Sequence, residues 1–256
     1  MDKKRIALNI AAPICGLAVF IAIWYIASAS IGVSIILPSP SETIVEFCSL
    51  FGEKGFYLAI GRTLGRAVLS FLIAFVAACL FAFLSKLSVF FKKAFAPIAV
   101  IMRVMPTISV ILLVLIWFKS NLSPYVITFL VIFPMLYRVV TDAADGVDPA
   151  LLEMTKAFRL SCGKRFFSFY LPEMLPPVLT GASITLSFSV KLTVAAEVLA
   201  FTADSIGRYM KQTSAYIETS KLLAWTVVAI LLGFLLEGLL LLVKRLLVRR
   251  YHGKQS

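Results

Sequence analysis

Charge is scarce in this chain, and negative charge is scarcest. Asp and Glu number 13 against 25 Lys and Arg, only 15% of positions are charged, and the formal net charge is +12. With 61% of residues apolar and a mean hydropathy of +0.97, an ordinary soluble domain is excluded and an integral membrane protein is the default. No Gly-x-x-x-x-Gly-Lys-Ser/Thr run is present, so ATP phosphates are not cradled by that route. The single histidine, His252, lies in the basic tail, and no carboxylate or metal-ligand constellation suggests catalysis. Catalytic residues, metal ligands and cofactors are therefore expected to be none in this chain. The four cysteines, Cys15, Cys48, Cys79 and Cys162, have no metal or redox spacing and read as packing residues.

Long apolar runs dominate what remains. A spanning helix needs about 20 mostly apolar residues, and six runs qualify, at 7–30, 60–84, 96–118, 124–141, 177–200 and 222–243. They are continuous rather than alternating segments of about 10 residues, which argues against a β-barrel. An all-α membrane protein of six transmembrane helices is the expected fold class. With the N-terminus in the cytoplasm, most Lys and Arg collect on the inner side, including Lys3, Lys4, Arg5, Lys164, Arg165 and Lys244, while Arg62, Arg66 and Lys211 are among the few outside. That asymmetry places both termini inside. Trp24, Trp117 and Trp225 fall near the outer ends, as an interfacial aromatic belt would have them. Lys3-Lys4-Arg5 and Ala27-Ser28-Ala29 imitate a signal peptide, but the apolar stretch between them exceeds the usual 7–15 residues.

Two polar segments carry local structure. In the first outer loop, Ser39 as cap, Pro40 at the first helical position and Glu42 three residues on form a capping box, predicting a short amphipathic helix to about Phe51. It would lie against the outer face or plug the side of the bundle. The inner loop 142–176 is longer. Asp148 caps a helix from Pro149 to about Phe158, and Ser161 caps a second that ends at Leu171-Pro172, since proline stops propagation. The pair makes a basic knuckle with Lys156, Arg159, Lys164 and Arg165. Contact with anionic lipid is one reading of these charges.

The same loop resembles the EAA loop of binding-protein-dependent ABC importer permeases, whose pattern is Glu-Ala-Ala, three residues, Gly, nine residues, Ile, one residue, Leu-Pro. Glu153 takes the Glu position, Phe169 the Ile position, and Leu171-Pro172 the final pair. Ser161, Phe166, the outer Leu37-Pro38-Ser39-Pro40-Ser41-Glu42, Pro106 with the run to Trp117-Phe118, Glu197 and Ile206-Gly207 resemble the nitrate/sulfonate/taurine branch. Two departures stand out: the Ala pair is Met154-Thr155, and the Gly position is Arg159. The resemblance implies a type I ABC importer (MetI-like) permease fold, one transmembrane domain over 1–256 with 142–176 as its coupling loop. It further implies a second permease copy, two ATPase subunits that carry the ATP and Mg, and an extracytoplasmic binding protein that delivers the solute in the bacterial inner membrane. Glu153, Arg159, Ser161, Lys164, Phe166, Phe169, Leu171 and Pro172 would couple to the ATPase. Arg165 could also meet acidic groups there, and the Phe166-Phe167 pair could anchor the apolar contact. No nucleic-acid partner is implied.

Four of the charges within the runs are read as intramembrane: Arg103, Lys191, Glu197 and Glu237. Each is costly in lipid and needs a partner or water. Arg103 and Glu237 share one depth and read as a structural pair. Lys191 and Glu197 are six residues apart, about 9 Å of rise on different faces, and either line a translocation pathway with Ser187, Met105 and Pro106 or tie helices together. The small and hydroxyl residues of the fifth run, among them Gly181, Ser183, Thr185, Ser189 and Thr193, suit close helix approach or a polar lumen. Pro97, Pro106 and Pro134 permit kinks, and one near Met102–Met105 would suit an inner gate. A lone Lys191 favours an anionic solute. The rival from another class is a self-sufficient ion-coupled carrier or channel using Glu197 and Lys191.

Overall fold

The computed structural model describes residues 3–252 apart from Arg159, and every element among the described residues is helical. In chain order these are α1 (Lys3–Ile31), α2 (Pro40–Leu50), α3 (Phe56–Leu87), α4 (Val89–Val104), α5 (Thr107–Trp117), α6 (Ser123–Asp145), α7 (Pro149–Ala157), α8 (Cys162–Arg165), a π turn (Phe166–Tyr170), α9 (Leu171–Ala200), α10 (Ile206–Ala215) and α11 (Thr219–His252). Five apolar stretches are long enough to cross a membrane: Ala11–Ile31, Phe56–Leu87, Ser123–Asp145, Gly163–Ala200 and Thr219–Leu247. Each covers one of the predicted runs.

The predicted span 96–118 is different. It is a bent pair, α4 and α5, whose axes meet at 96°. The residue before a proline is pushed out of the helical region by the ring, and Met105 (φ −57°, ψ 128°) and Pro106 (φ −58°, ψ 126°) are both extended. The kink expected near Met102–Met105 is a right-angle break at Met105–Pro106. Pro97 and Pro134, by contrast, lie inside α4 and α6 without ending them.

Helix α9 is the axis of the bundle, packed against α11, α6 and α3. Its small and hydroxyl residues resolve in favour of close approach. Ala182, Ser183, Thr185, Ser189 and Thr193 are buried, and the Thr128 and Thr193 hydroxyls meet at 2.9 Å between α6 and α9. A Cβ on Gly181 would lie 2.5 Å from Val139 Cγ1, so only glycine permits this spacing. Nearer the loop end, Phe81, Phe95, Phe133 and Tyr137 interlock, and Ser85 bonds the Tyr137 hydroxyl at 2.8 Å.

Helix α1 stands apart, its apolar side chains exposed from Ile14 to Ile31. Trp24 Nε1 donates to Pro38 O at 3.0 Å and Ser28 Oγ to Leu37 O at 3.0 Å, tying it to the segment before α2. The capping box at α2 forms as the sequence predicts, with Ser39 Oγ accepting from Glu42 N–H and the Glu42 carboxylate accepting from Ser39 N–H. Helix α2 packs on α11 with Leu50 fully buried, so it plugs the side of the bundle. The aromatic belt is not borne out at Trp225. That ring is fully buried, stacked on Tyr209 at 4.9 Å and tilted against Phe56 at 5.5 Å. Trp117 is exposed.

Replacing Pro106 with alanine removes a residue that disfavours a continuous helix by about 3 kcal/mol. Spin labels on α4 and α5 are expected to move apart as the 96° angle opens. The Ser39 backbone N–H, then the Ser34 hydroxyl, hold the Glu42 carboxyl below its ordinary value. A depressed carboxyl stabilises above its unfolded pKa and loses that contribution as pH falls through the folded one. Acid should therefore fray α2, and Glu42→Gln should remove the pH dependence of its amide exchange.

Candidate functional site

Two places concentrate chemistry: the 142–176 loop and the opposite end of α9. In the loop, Asp148 Oδ1 accepts Ala150 N–H at 2.8 Å, which starts α7. Glu153, Met154 and Phe158 are exposed on it, while Thr155 is buried. Ser161 starts the next helix as its sequence predicts, its carbonyl accepting Arg165 N–H at 2.9 Å and its hydroxyl facing Lys164 N–H at 3.5 Å. Arg159 lies outside the described residues.

The second helix of the knuckle does not end at Leu171-Pro172. It runs on through the π turn into α9, giving one continuous stretch from Gly163 to Ala200. A π turn inserts an extra residue into the ladder: Leu171 N–H reaches Phe166 O, five residues back. The widened turn makes room for a proline ring that would clash with the carbonyl four residues earlier. Tyr170 fixes it, donating its hydroxyl to Ala144 O at 2.8 Å and stacking on Phe166. The 38 residues span roughly 57 Å, nearly twice the hydrocarbon thickness of about 30 Å. One continuous helical stretch therefore joins the loop to the far end of the bundle, with Pro176 and Pro177 carried inside it. Lys164 and Phe167 are exposed near its start, whereas Phe169, Leu171 and Pro172 are half-buried. Arg165 does not project with them; it turns inward and donates from Nη2 to Leu160 O at 3.3 Å.

At the other end, Glu197 is fully buried. Arg66 Nη1 donates to Oε1 at 2.8 Å, Thr63 Oγ1 to Oε2 at 2.9 Å, and Gly207 N–H to Oε2 at 3.3 Å. Thr63 in turn accepts Ile206 N–H at 3.1 Å, and Arg66 Nη2 donates to Ala203 O at 3.3 Å. The carboxylate thus sits at the positive end of α10, opposite a guanidinium from α3. Gly207 is required, because a Cβ there would meet the Glu197 side chain and lie 2.6 Å from Val198 N. Glu197 is a tie between α3, α9 and α10 rather than a group facing an open path. Thr63 and Arg66 were missed in the sequence; the available signal was a cation several residues inside an apolar run.

The remaining candidates separate. Lys191 lies on an exposed stripe of α9 with Ile184 and Leu199, away from Glu197. Ser187 is half-buried against α11, its hydroxyl beside Gly233. Met105 and Pro106 are exposed at the break. Arg103 and Glu237 form no ion pair among the described residues, and Arg103 is exposed. The expected tie between them is replaced by Arg66–Glu197. Among the described residues no group of His, Cys, Asp and Glu could hold a metal. Cys15, Cys48 and Cys79 are free, the first two exposed rather than packed.

Removing one partner of a buried ion pair leaves the other charge unpaired, at a cost of about 3–5 kcal/mol. Arg66→Met and Gly207→Ala should each sharply lower the thermal midpoint of the purified chain. Arg66→Lys, which keeps the charge, should fall between.

A pattern for "Binding-protein-dependent transport system inner membrane component" matches residues 70–252. Over 246 residues the chain is 26% identical to the taurine transport system permease protein TauC of Escherichia coli (strain K12), covering 93% of this chain and 88% of that one. Over 235 residues it is 25% identical to the putative aliphatic sulfonates transport permease protein SsuC of Bacillus subtilis (strain 168), covering 91% and 84%. Its fold is similar to a chain of the inward-facing MetNI methionine ABC transporter, with a TM-score of 0.62 at 18% identity over 75% of this chain and 94% of that one. The chain belongs to the family of binding-protein-dependent transport system inner membrane components, the multi-pass permease subunits of ABC importers.

Proposed function

We propose that this permease pairs with a second copy to enclose a pathway for a small anionic solute handed over by an extracytoplasmic binding protein. Two separate ATPase subunits, which carry the ATP and Mg, dock on the 148–172 segment, and both termini lie in the cytoplasm. The chain acts as one transmembrane domain over 1–256, with 142–176 as its coupling loop and no catalytic residue of its own.

The observation that carries this reading is the continuous helix from Gly163 to Ala200. A loop that grips a moving partner can pass rigid-body motion to the bundle only through a stiff connection. Exposed Glu153, Phe158, Lys164 and Phe167 supply a mix of charge and aromatic area suited to a protein contact. Lys191 adds the pathway argument. A cation on an exposed apolar stripe at membrane depth needs water or a protein partner, and a shared pathway between two copies provides both. Taurine and aliphatic sulfonates, named for the relatives, are anions or zwitterions that Lys191 would attract. The ion-coupled alternative loses ground because Glu197 is already held by Arg66, Thr63 and Gly207.

Phe167→Ala and Glu153→Ala should weaken association with the ATPase subunit, measured on the purified complex. For a residue at a contact centre the loss is about 2 kcal/mol, or roughly 30-fold. Unchanged association and unchanged ATP-driven uptake in both variants would overturn the coupling assignment. Lys191→Met should lower uptake while leaving ATPase association intact; uptake at the original rate would remove Lys191 from the pathway.

A further inference from the structure

We propose that the cleft between α3, α6 and the root of α9 binds one anionic phospholipid, its acyl chain laid along the cleft and its phosphate at Arg165 and Lys86. The cleft holds about 580 Å³. Phe75, Cys79 and Phe83 line it from α3, and Met174 and Val178 from α9. Among the described lining residues the cations are Lys86 and Arg165, and Lys86 lies at the loop end, where it and Tyr170 both donate to Ala144 O. From Phe75 to Lys86 the wall rises roughly 16 Å along α3, close to one leaflet of a hydrocarbon core about 30 Å thick. A cavity that is greasy along one leaflet and cationic at a single mouth has the layout of one lipid.

The charges at the mouth are unbalanced. Lys86 pairs with Asp145 and donates to Ala144 O at 3.2 Å, and Lys92 reaches the same Asp145 at 3.1 Å. Two lysines therefore share one carboxylate, and Arg165 has no ion pair among the described residues. Arg165 Nε is buried and has no hydrogen-bond partner among the described residues, while Nη2 is spent on Leu160 O. A phosphodiester oxygen would satisfy that N–H and the excess charge together. Basic pockets between transmembrane helices take anionic headgroups for this reason. The inference rests on the membrane-spanning fold and not on the ATPase docking.

The test uses the purified full chain, delipidated in detergent and offered dioleoyl phosphatidylglycerol or dioleoyl phosphatidylcholine, with bound lipid counted by native mass spectrometry. One phosphatidylglycerol per chain should be retained at least about 10-fold more tightly than phosphatidylcholine, the factor that one lost charge-assisted bond implies. Arg165→Gln should erase the preference and Arg165→Lys should restore part of it. Cys79→Trp and, independently, Val178→Phe fill the cleft from opposite walls and should lower retention of both lipids. Equal retention of the two lipids by the parent chain would overturn the site as unselective surface lipid, and an undiminished preference in Arg165→Gln would overturn it by placing the selective contact elsewhere. Displacement of phosphatidylglycerol by inorganic phosphate at equal concentration would overturn it too, in favour of a free anion. These readouts are independent of transport, so failure here leaves the coupling assignment standing.

Discussion

The Arg66–Glu197 ion pair is the constraint on which the bundle depends. Two charges taken out of water must satisfy each other and every remaining donor and acceptor, or the fold loses several kcal/mol. Here a guanidinium, a hydroxyl and a helix N-terminus converge on one carboxylate. Because these groups come from α3, α9 and α10, their geometry fixes how the three helices meet. The Gly207 backbone has to lie against α9 for the last of those bonds to form, which is why no side chain is tolerated there. In hydrocarbon, where apolar packing gives little preference between neighbours, a polar knot of this kind selects one arrangement.

From that fixed end, α9 runs as unbroken helix back to the loop. The π turn keeps the helix unbroken where Pro172 would otherwise stop it, and the Tyr170–Ala144 bond anchors the turn to the end of α6. The loop is thus held at two points, through α7 after α6 and through the helix. The proposed lipid would fill the space beneath this root, between the turn and α3.

Much of this was legible in the sequence, for identifiable reasons. Long apolar runs report spans because the bilayer sets their length, and local caps such as Ser39–Glu42 and Asp148 report helix starts because all their partners lie within four residues. The order and spacing of Glu153, Ser161, Phe169 and Leu171-Pro172 pointed to the family that the comparisons show. What failed was non-local. Glu197 and Arg66 are 131 residues apart, and no periodicity links them. Trp225 looked interfacial because depth along a helix is readable while the face it turns is not. The rule that proline ends a helix is a statement about an ideal ladder, and a packed π turn evades it.

The right-angle break at Met105–Pro106 has a hydration consequence. Ending one helix and starting another strips several carbonyls and amides of their intrahelical partners, and at Met105 and Pro106 the chain leaves its side chains exposed. Acyl tails cannot solvate such groups, so irregular backbone at this depth persists only beside protein or water. The corner between α4 and α5 therefore marks a seam that water or another protein surface must cover, because acyl chains leave its peptide dipoles unpaired.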